Sequence, residues 1–105
     1  MKFKIVWSEF AVTQLDEIYG YYKKKASSRI ATKLVKGIIN ETKKLLKASA
    51  IGQEEESLKE RKIQYRYLVF KNYKLIYSVD TENEFIKIAD VFDTRQNPIK
   101  MKRTK

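Results

Sequence analysis

Residues 63–79, IQYRYLVFKNYKLIYSV, decide the fold, because apolar and aromatic side chains recur at every second position in two successive runs. Successive side chains of a strand point to opposite faces of a sheet, so this period of two predicts two strands. Lys71 and Asn72 separate the runs and predict a tight hairpin turn. A third run of the same kind, residues 85–92, follows a polar turn at residues 80–84. The second half of the chain therefore predicts an antiparallel meander of three strands.

The first half of the chain predicts one strand and two helices. Residues 2–7 alternate as a short strand, and Ser8 follows as a helix N-cap. An apolar stripe predicts a helix to about residue 25, and Ser27 or Ser28 begins a second helix of roughly five turns. Residues 48–52 should end this helix, and residues 53–56 are expected to form an exposed connection.

This order of elements predicts a single α+β domain over residues 1–105, with an N-terminal strand, an antiparallel helix hairpin packed on one sheet face, and the meander. An RRM would need helices between the strands, and a double-stranded RNA-binding domain would need a helix after them. Pro98 cannot continue a central strand, so the sheet should end at or just before Asp93. Residues 99–105 are expected to form a flexible basic tail.

Composition excludes several kinds of site. The chain has neither cysteine nor histidine, which excludes disulfides, thiol nucleophiles and the usual zinc or haem ligands, and we expect no metal and no cofactor. Charge comes too early at the N-terminus for a signal peptide, and no apolar run is long enough to span a bilayer. A soluble cytoplasmic protein without a membrane partner is the simplest interpretation.

The positive charge is large for a folded domain. The net charge is +10 and the pI is near 9.7, yet aromatic residues make up 12% of the chain, which is typical of a basic domain and not of a disordered tail. Residues 1–50 carry eleven lysines and arginines against four acids. The surplus either serves solubility alone or indicates an acidic partner, which could be nucleic acid or protein.

The densest mixture of basic and aromatic residues, 66–74, predicts the candidate site. Strand alternation could place Arg66 and Lys74 on one sheet face and tyrosines on the other, with Arg95 leaving the last strand beside them. Cations held in this way suit phosphate groups. The alternatives are the solvated face of a sheet and, for Arg95, a turn held by pairing with Asp93.

Cleavage of RNA would require a base, an acid and cations that stabilise the charge developing on the phosphate. Arg66, Lys74 and Arg95 could supply the cations, but without histidine the acid and base would have to be lysine, tyrosine or a carboxylate. Whether the chain is an enzyme therefore stays open. The candidates for binding a target or nucleic acid form a larger set: Arg66, Lys71, Lys74, Arg95, Lys100 and Lys102.

Several groups of residues occur in an order and spacing that are similar to those of a known family. They are the helix positions Ala11, Leu15, Ile18 and Tyr22, then Ala31, Leu34, Val35 and Ile38, the stop at Ile51 and Gly52, and the runs 65–69, 72–79 and 91–98. The family they resemble is the RelE/ParE superfamily of bacterial toxins, from type II toxin-antitoxin and plasmid-stabilisation modules. The resemblance implies a growth-inhibiting toxin neutralised by a cognate antitoxin, with operator DNA bound only through the antitoxin complex.

The resemblance also implies two possible targets. RelE-like members cut messenger RNA on the ribosome, whereas ParE-like members poison DNA gyrase and are not nucleases. Arg66 and Lys74 fall at matching nuclease positions, with Arg95 near a third, but Leu68 stands where another lysine is expected and no tyrosine follows Tyr77. Together with the long helix hairpin, this favours ParE-like gyrase inhibition. A ribosome-dependent endoribonuclease and a non-toxic module that binds only nucleic acid or antitoxin are the alternatives.

Overall fold

The computed structural model describes residues 3–49 and 52–104, where two helices pack on a five-stranded sheet. The elements in chain order are β1 (Lys4–Trp7), α1 (Glu9–Lys25), α2 (Ser28–Thr42), β2 (Gln53–Glu54), β3 (Arg66–Phe70), β4 (Tyr73–Asp80) and β5 (Phe85–Asp93). Short 3-10 helices lie at Lys43–Leu46, Glu56–Leu58 and Pro98–Arg103. The predicted α+β class and the predicted order of its main elements are confirmed.

The helix hairpin begins at the predicted caps. The Ser8 hydroxyl accepts a hydrogen bond from the Ala11 amide at 3.0 Å, and the Ser27 hydroxyl accepts one from the Ile30 amide at 3.2 Å. Each cap thus satisfies an amide that has no partner within the first helical turn. The second helix is shorter than predicted, because its last turn tightens into the 3-10 helix after Thr42.

The predicted end of the second helix falls partly on Ala50 and Ile51, which lie outside the described residues. The same holds for Lys2, at the predicted start of the first strand. Within the described part of the chain, neither α-helix is long and apolar enough to cross a membrane.

The sheet has the strand order β1-β5-β4-β3-β2. The N-terminal strand β1 pairs in parallel with the last strand β5, and the other pairs are antiparallel. The helix hairpin connects β1 to the rest of the sheet and covers one of its faces. The core on this helix face is formed by Leu15, Leu34, Ile38, Tyr73, Leu75 and Val91, with Ala11, Leu45, Tyr77, Ile86 and Ile88 extending it toward β1.

The opposite sheet face is covered by irregular segments. Leu58, Tyr65 and Met101 pack there against Ile76, Ala89 and Phe92. A β-bulge at Ala89, which lies between the pairs Ile76–Asp90 and Tyr77–Ile88, shifts the register of β5. The sheet ends at Asp93, as predicted from Pro98.

Two predictions about the connecting segments are wrong. The segment 53–56 is not wholly an exposed connection, because Gln53 and Glu54 pair with β3 and Glu55 is only 2% exposed. The described part of the predicted flexible tail is a docked 3-10 helix, with Met101 only 1% exposed. Both segments pack on the second sheet face, because this face is apolar and has to be shielded from water. Their own sequences are polar and therefore did not predict this packing.

Candidate functional site

The two predicted cations of the hairpin lie on opposite faces of the sheet. The turn at Lys71 and Asn72 joins Phe70 to Tyr73, and this register places Arg66 opposite Tyr77 and Lys74 opposite Val69. Since paired residues share a face and neighbours alternate, Arg66 lies on the helix face and Lys74 lies on the other. The prediction that one face carries both cations is therefore wrong.

Arg66 holds the chain where it crosses from the helix hairpin to the sheet. Its guanidinium donates a hydrogen bond to the Gly52 carbonyl at 2.9 Å. The Gly52 amide in turn donates to the Tyr77 hydroxyl at 2.9 Å, and this hydroxyl donates to the Ser49 carbonyl at 2.8 Å. Burial raises the pKa of Tyr77, so the phenol stays protonated as this donor.

Lys74 is neutralised by a buried carboxylate. Its ammonium nitrogen lies 2.8 Å from Oε1 of Glu55, whose side chain is 2% exposed, and 4.3 Å from the centre of the Tyr67 ring. The second carboxylate oxygen of Glu55 accepts a hydrogen bond from the Ser57 amide at 3.0 Å. The charge of Lys74 therefore compensates an internal acid, and a phosphate would have to displace that acid.

Arg95 pairs with Asp93, which is the alternative that the sequence left open. The Arg95 Nε and Nη2 atoms donate to the Asp93 carboxylate at 3.0 Å and 2.7 Å. Asp93 also accepts hydrogen bonds from the Arg95 amide and from the Asn72 side chain. The Arg95 guanidinium, followed by these donors, lowers the pKa of Asp93 to about 2 although partial burial opposes the shift. The ion pair and these hydrogen bonds therefore hold the turn after β5 against the β3–β4 turn.

The other predicted binding residues do not complete one site. Lys71 lies in the β3–β4 turn, with a left-handed φ of 55°, and is exposed. Lys100 and Lys102 are exposed on the C-terminal 3-10 helix. Arg61 fastens this helix by donating to the carbonyls of Lys102 and Thr104. The six residues are thus spread over both sheet faces, two turns and the C-terminal 3-10 helix.

Tyr73, which lies beside Asp93 and Arg95, is poorly suited to act as an acid or base. Tyr73 lies with Tyr22, Asp93 and Arg95 around a polar pocket of about 300 Å³. Burial, reinforced by a hydrogen bond with Tyr22, raises the pKa of Tyr73 well above its ordinary value. A general acid or base works best with a pKa near the working pH, so this phenol is poorly matched to proton transfer. Among the described residues there is also no cluster of acids that could hold a metal ion.

A groove between α2 and the β3–β4 turn was missed by the sequence reasoning. It encloses about 830 Å³. Its apolar lining includes Tyr22, Ile30, Leu34 and Phe70, and its cations are Arg29, Lys33, Lys36 and Lys71. The Phe70 ring reaches α2 because Gly37 has no side chain: a Cβ there would lie 2.5 Å from Phe70 Cζ. The glycine inside a helix and the cations on that helix were the signals that could have indicated the groove.

Comparisons with known proteins agree with this fold. The family model described as "ParE toxin of type II toxin-antitoxin system, parDE" matches residues 5–98. A solved structure described as "Chromosomal ParDE TA system from P. aeruginosa" superposes with a TM-score of 0.72. It is 21% identical in sequence, and the alignment covers 88% of this chain and 96% of that chain. None of the curated proteins compared with this chain matches it.

Proposed function

Because this chain belongs to the ParE toxin family of type II toxin-antitoxin systems, within the RelE/ParE superfamily, we propose that it arrests growth by binding DNA gyrase in the cytoplasm. We further propose that a cognate antitoxin neutralises it, and that operator DNA is bound through the antitoxin complex. The ribosome is the alternative target, on which the chain would have to act as a nuclease.

The observation that carries the choice of target is the separation of Arg66, Lys74 and Arg95. A nuclease stabilises the charge of its transition state with cations that converge on one phosphate. Here two of the three lie on opposite sheet faces, and each is occupied by a carbonyl or a carboxylate of its own chain. With no histidine in the sequence, the arrangement supports inhibition by binding over cleavage.

The groove between α2 and the β3–β4 turn supports an antitoxin of defined chemistry. Its apolar lining could bury the apolar face of a helix, and its four cations could pair with acids at the edges of that helix. An acidic amphipathic segment that folds on binding fits both features. Its acids would also offset part of the net charge of +10.

Induced expression in bacteria tests the proposed action. We expect growth arrest with double-strand DNA breaks and intact transcripts, and recovery when the neighbouring antitoxin gene is co-expressed. New messenger 5′ ends at codons, without DNA breaks, would favour the ribosome-dependent nuclease. Normal growth at a high level of folded protein would contradict toxicity itself.

A pair of groove substitutions tests the proposed antitoxin site. Ile30 is 51% exposed and lines the groove with Lys71, so Ile30→Asp with Lys71→Glu should preserve growth arrest but abolish rescue by the antitoxin. The matched control is Ile63→Asp with Lys62→Glu, since Ile63 is 54% exposed outside the groove. Equal rescue of both variants would reject the groove as the antitoxin site.

A further inference from the structure

The solvent side of α2, up to the first residue of the 3-10 helix after it, carries an unbroken row of polar residues. Four cations, separated by four, three and seven positions, form this row, which we term the α2 stripe: Arg29, Lys33, Lys36 and Lys43. Asn40 fills the gap between Lys36 and Lys43. Spacings of three, four and seven keep residues on one side of a helix, so the cations are close neighbours in space.

The stripe lies directly opposite the core. Ala31, Leu34, Ile38 and Thr42 are the buried residues of α2, and at about 100° of rotation per residue the stripe falls on the other side of the helix. All four cations are exposed. In the described part of the chain, no carboxylate lies within ion-pair distance of any of them.

Acids are almost excluded from this part of the sequence. Between Glu17 and Glu54 the only acid is Glu41, and it is paired with Lys44 at 2.9 Å. A helix face that only needs to be soluble carries both signs of charge, because opposite charges three or four positions apart stabilise the helix. Here like charges stand next to one another at a cost to the helix, which indicates an anionic partner.

The spacing of the cations along the row matches the spacing of phosphates along a duplex. With a rise of about 1.5 Å per residue, the row from Arg29 to Lys43 is about 21 Å long. Duplex DNA exposes a phosphate about every 3.4 Å along each strand, so cations spaced about 5–6 Å apart along a helix can each reach a different phosphate. The stripe itself has no aromatic side chain for stacking on unpaired bases. Arg29, Lys33 and Lys36 also border the groove proposed for the antitoxin, so the antitoxin and a duplex would compete for these cations.

We infer that the α2 stripe binds the phosphate backbone of duplex DNA without reading its sequence. Each lysine or arginine that replaces a condensed counterion releases it into solution, and this release drives the binding. The stripe would hold the toxin on the DNA near a DNA-bound target. The choice of DNA over duplex RNA rests on the proposed gyrase target, whereas binding to a duplex does not depend on it.

Binding of the purified protein to a fluorescent 20-base-pair DNA of random sequence, measured by anisotropy, tests the inference without gyrase. Four phosphate contacts predict a slope of about −3.6 in log affinity against log salt, or about a 150-fold loss between 50 and 200 mM salt. Replacing Lys33, Lys36 and Lys43 with glutamine leaves one contact, so the loss over the same range should fall to about 3.5-fold.

The control replaces Lys59, Lys62 and Lys87 with glutamine, which changes the net charge equally but leaves the stripe intact. All three control lysines are exposed, and the control variant should keep the slope of the unaltered protein. Equal slopes for the two triple variants, or no binding at 50 mM salt, would overturn the inference. So would tighter binding to duplex RNA or to poly-glutamate than to DNA. If the protein binds DNA as expected but does not inhibit gyrase, only the proposed target is rejected.

Discussion

At the scale of single residues, the cations that suggested a catalytic site are parts of the folded structure. Lys74→Met should destabilise the protein by about 3–5 kcal/mol, because it leaves the carboxylate of Glu55 buried without its cation. The free energy of unfolding in urea measures this cost. The matched control is Lys44→Met, which breaks an exposed pair with Glu41 and should cost about 0.5 kcal/mol or less. If the two substitutions cost the same, Lys74 is not the structural counterion described here.

The pair of Asp93 and Arg95 predicts a pH dependence of stability. The pKa of Asp93 is depressed to about 2 in the folded protein, against about 3.9 in an unfolded chain. The stabilisation is therefore present above about pH 4 and is lost as the pH falls toward 2. We expect Asp93→Asn to cost about 1 kcal/mol at pH 6, after allowance for the solvent around Arg95, and progressively less below pH 4. A cost that does not change with pH would contradict the ion pair.

The residue types of this site were predictable from the sequence, but their placement was predicted wrongly. The two-residue turn at Lys71 and Asn72 was predicted correctly and already fixes the pairing of β3 with β4. Because Phe70 then pairs with Tyr73, Arg66 and Lys74 must alternate onto opposite faces. The partners Glu55 and Gly52 could not be predicted, since nothing in their local pattern links them to residues 14 to 19 positions further along the chain.

At the scale of elements, the junction between the helix hairpin and the sheet depends on Gly52. A Cβ at this position would lie 2.6 Å from the Tyr67 carbonyl oxygen and 2.6 Å from the Tyr77 hydroxyl. Gly52→Ala must move the backbone of β3 or break the hydrogen bonds of Tyr77, and we expect a loss of about 2–4 kcal/mol in urea unfolding.

Gly20 is the matched control for that substitution. It lies within α1, and nothing lies within 4 Å of an added Cβ. Gly20→Ala should therefore stabilise the helix, by about 0.5–1 kcal/mol. If Gly52→Ala were as well tolerated as Gly20→Ala, the packing described at the junction would be wrong.

Elements with a long periodic pattern were predicted well, and short elements were not. The helices and the strands β3, β4 and β5 each bury one or both faces. Burial of a face requires apolar residues at a regular spacing, and this spacing can be recognised in the sequence. Strand β2 has only two residues, both exposed, so it has no apolar spacing that could predict it. The 3-10 helix at Pro98–Arg103 buries Met101 among lysines and an arginine, and its sequence is that of a polar tail.

At the scale of the whole molecule, the C-terminal segment closes a second core. Met101 is 1% exposed, and the nearby Asp90, which is fully buried, accepts hydrogen bonds from Arg103 and Thr104. Met101→Ala should lower the free energy of unfolding by about 2–5 kcal/mol. Ile99→Ala should change it by less than about 0.5 kcal/mol, since Ile99 is 63% exposed. A flexible tail would show no difference between the two variants.

The sequence predicted the fold class, but it did not predict which strands pair with one another. Local periodicity places strands and helices along the chain but does not say which strands become neighbours. The parallel pairing of β1 with β5 joins residues about eighty positions apart, and the groove at α2 arises only when the helix hairpin folds against the β3–β4 turn. Sites made from such distant contacts require the structure, and for this reason the predicted set of cations did not converge.

Supercoiling of relaxed plasmid by purified gyrase, with and without the purified chain, is the decisive test of gyrase inhibition, because the reaction contains no ribosome and no messenger RNA. We expect the chain to stop supercoiling and to accumulate linear, gyrase-cleaved plasmid. We expect Lys33→Gln with Lys36→Gln to weaken this effect more than Lys59→Gln with Lys62→Gln. Undisturbed supercoiling at a large excess of folded protein, together with cleavage of messenger RNA on ribosomes, would contradict gyrase inhibition.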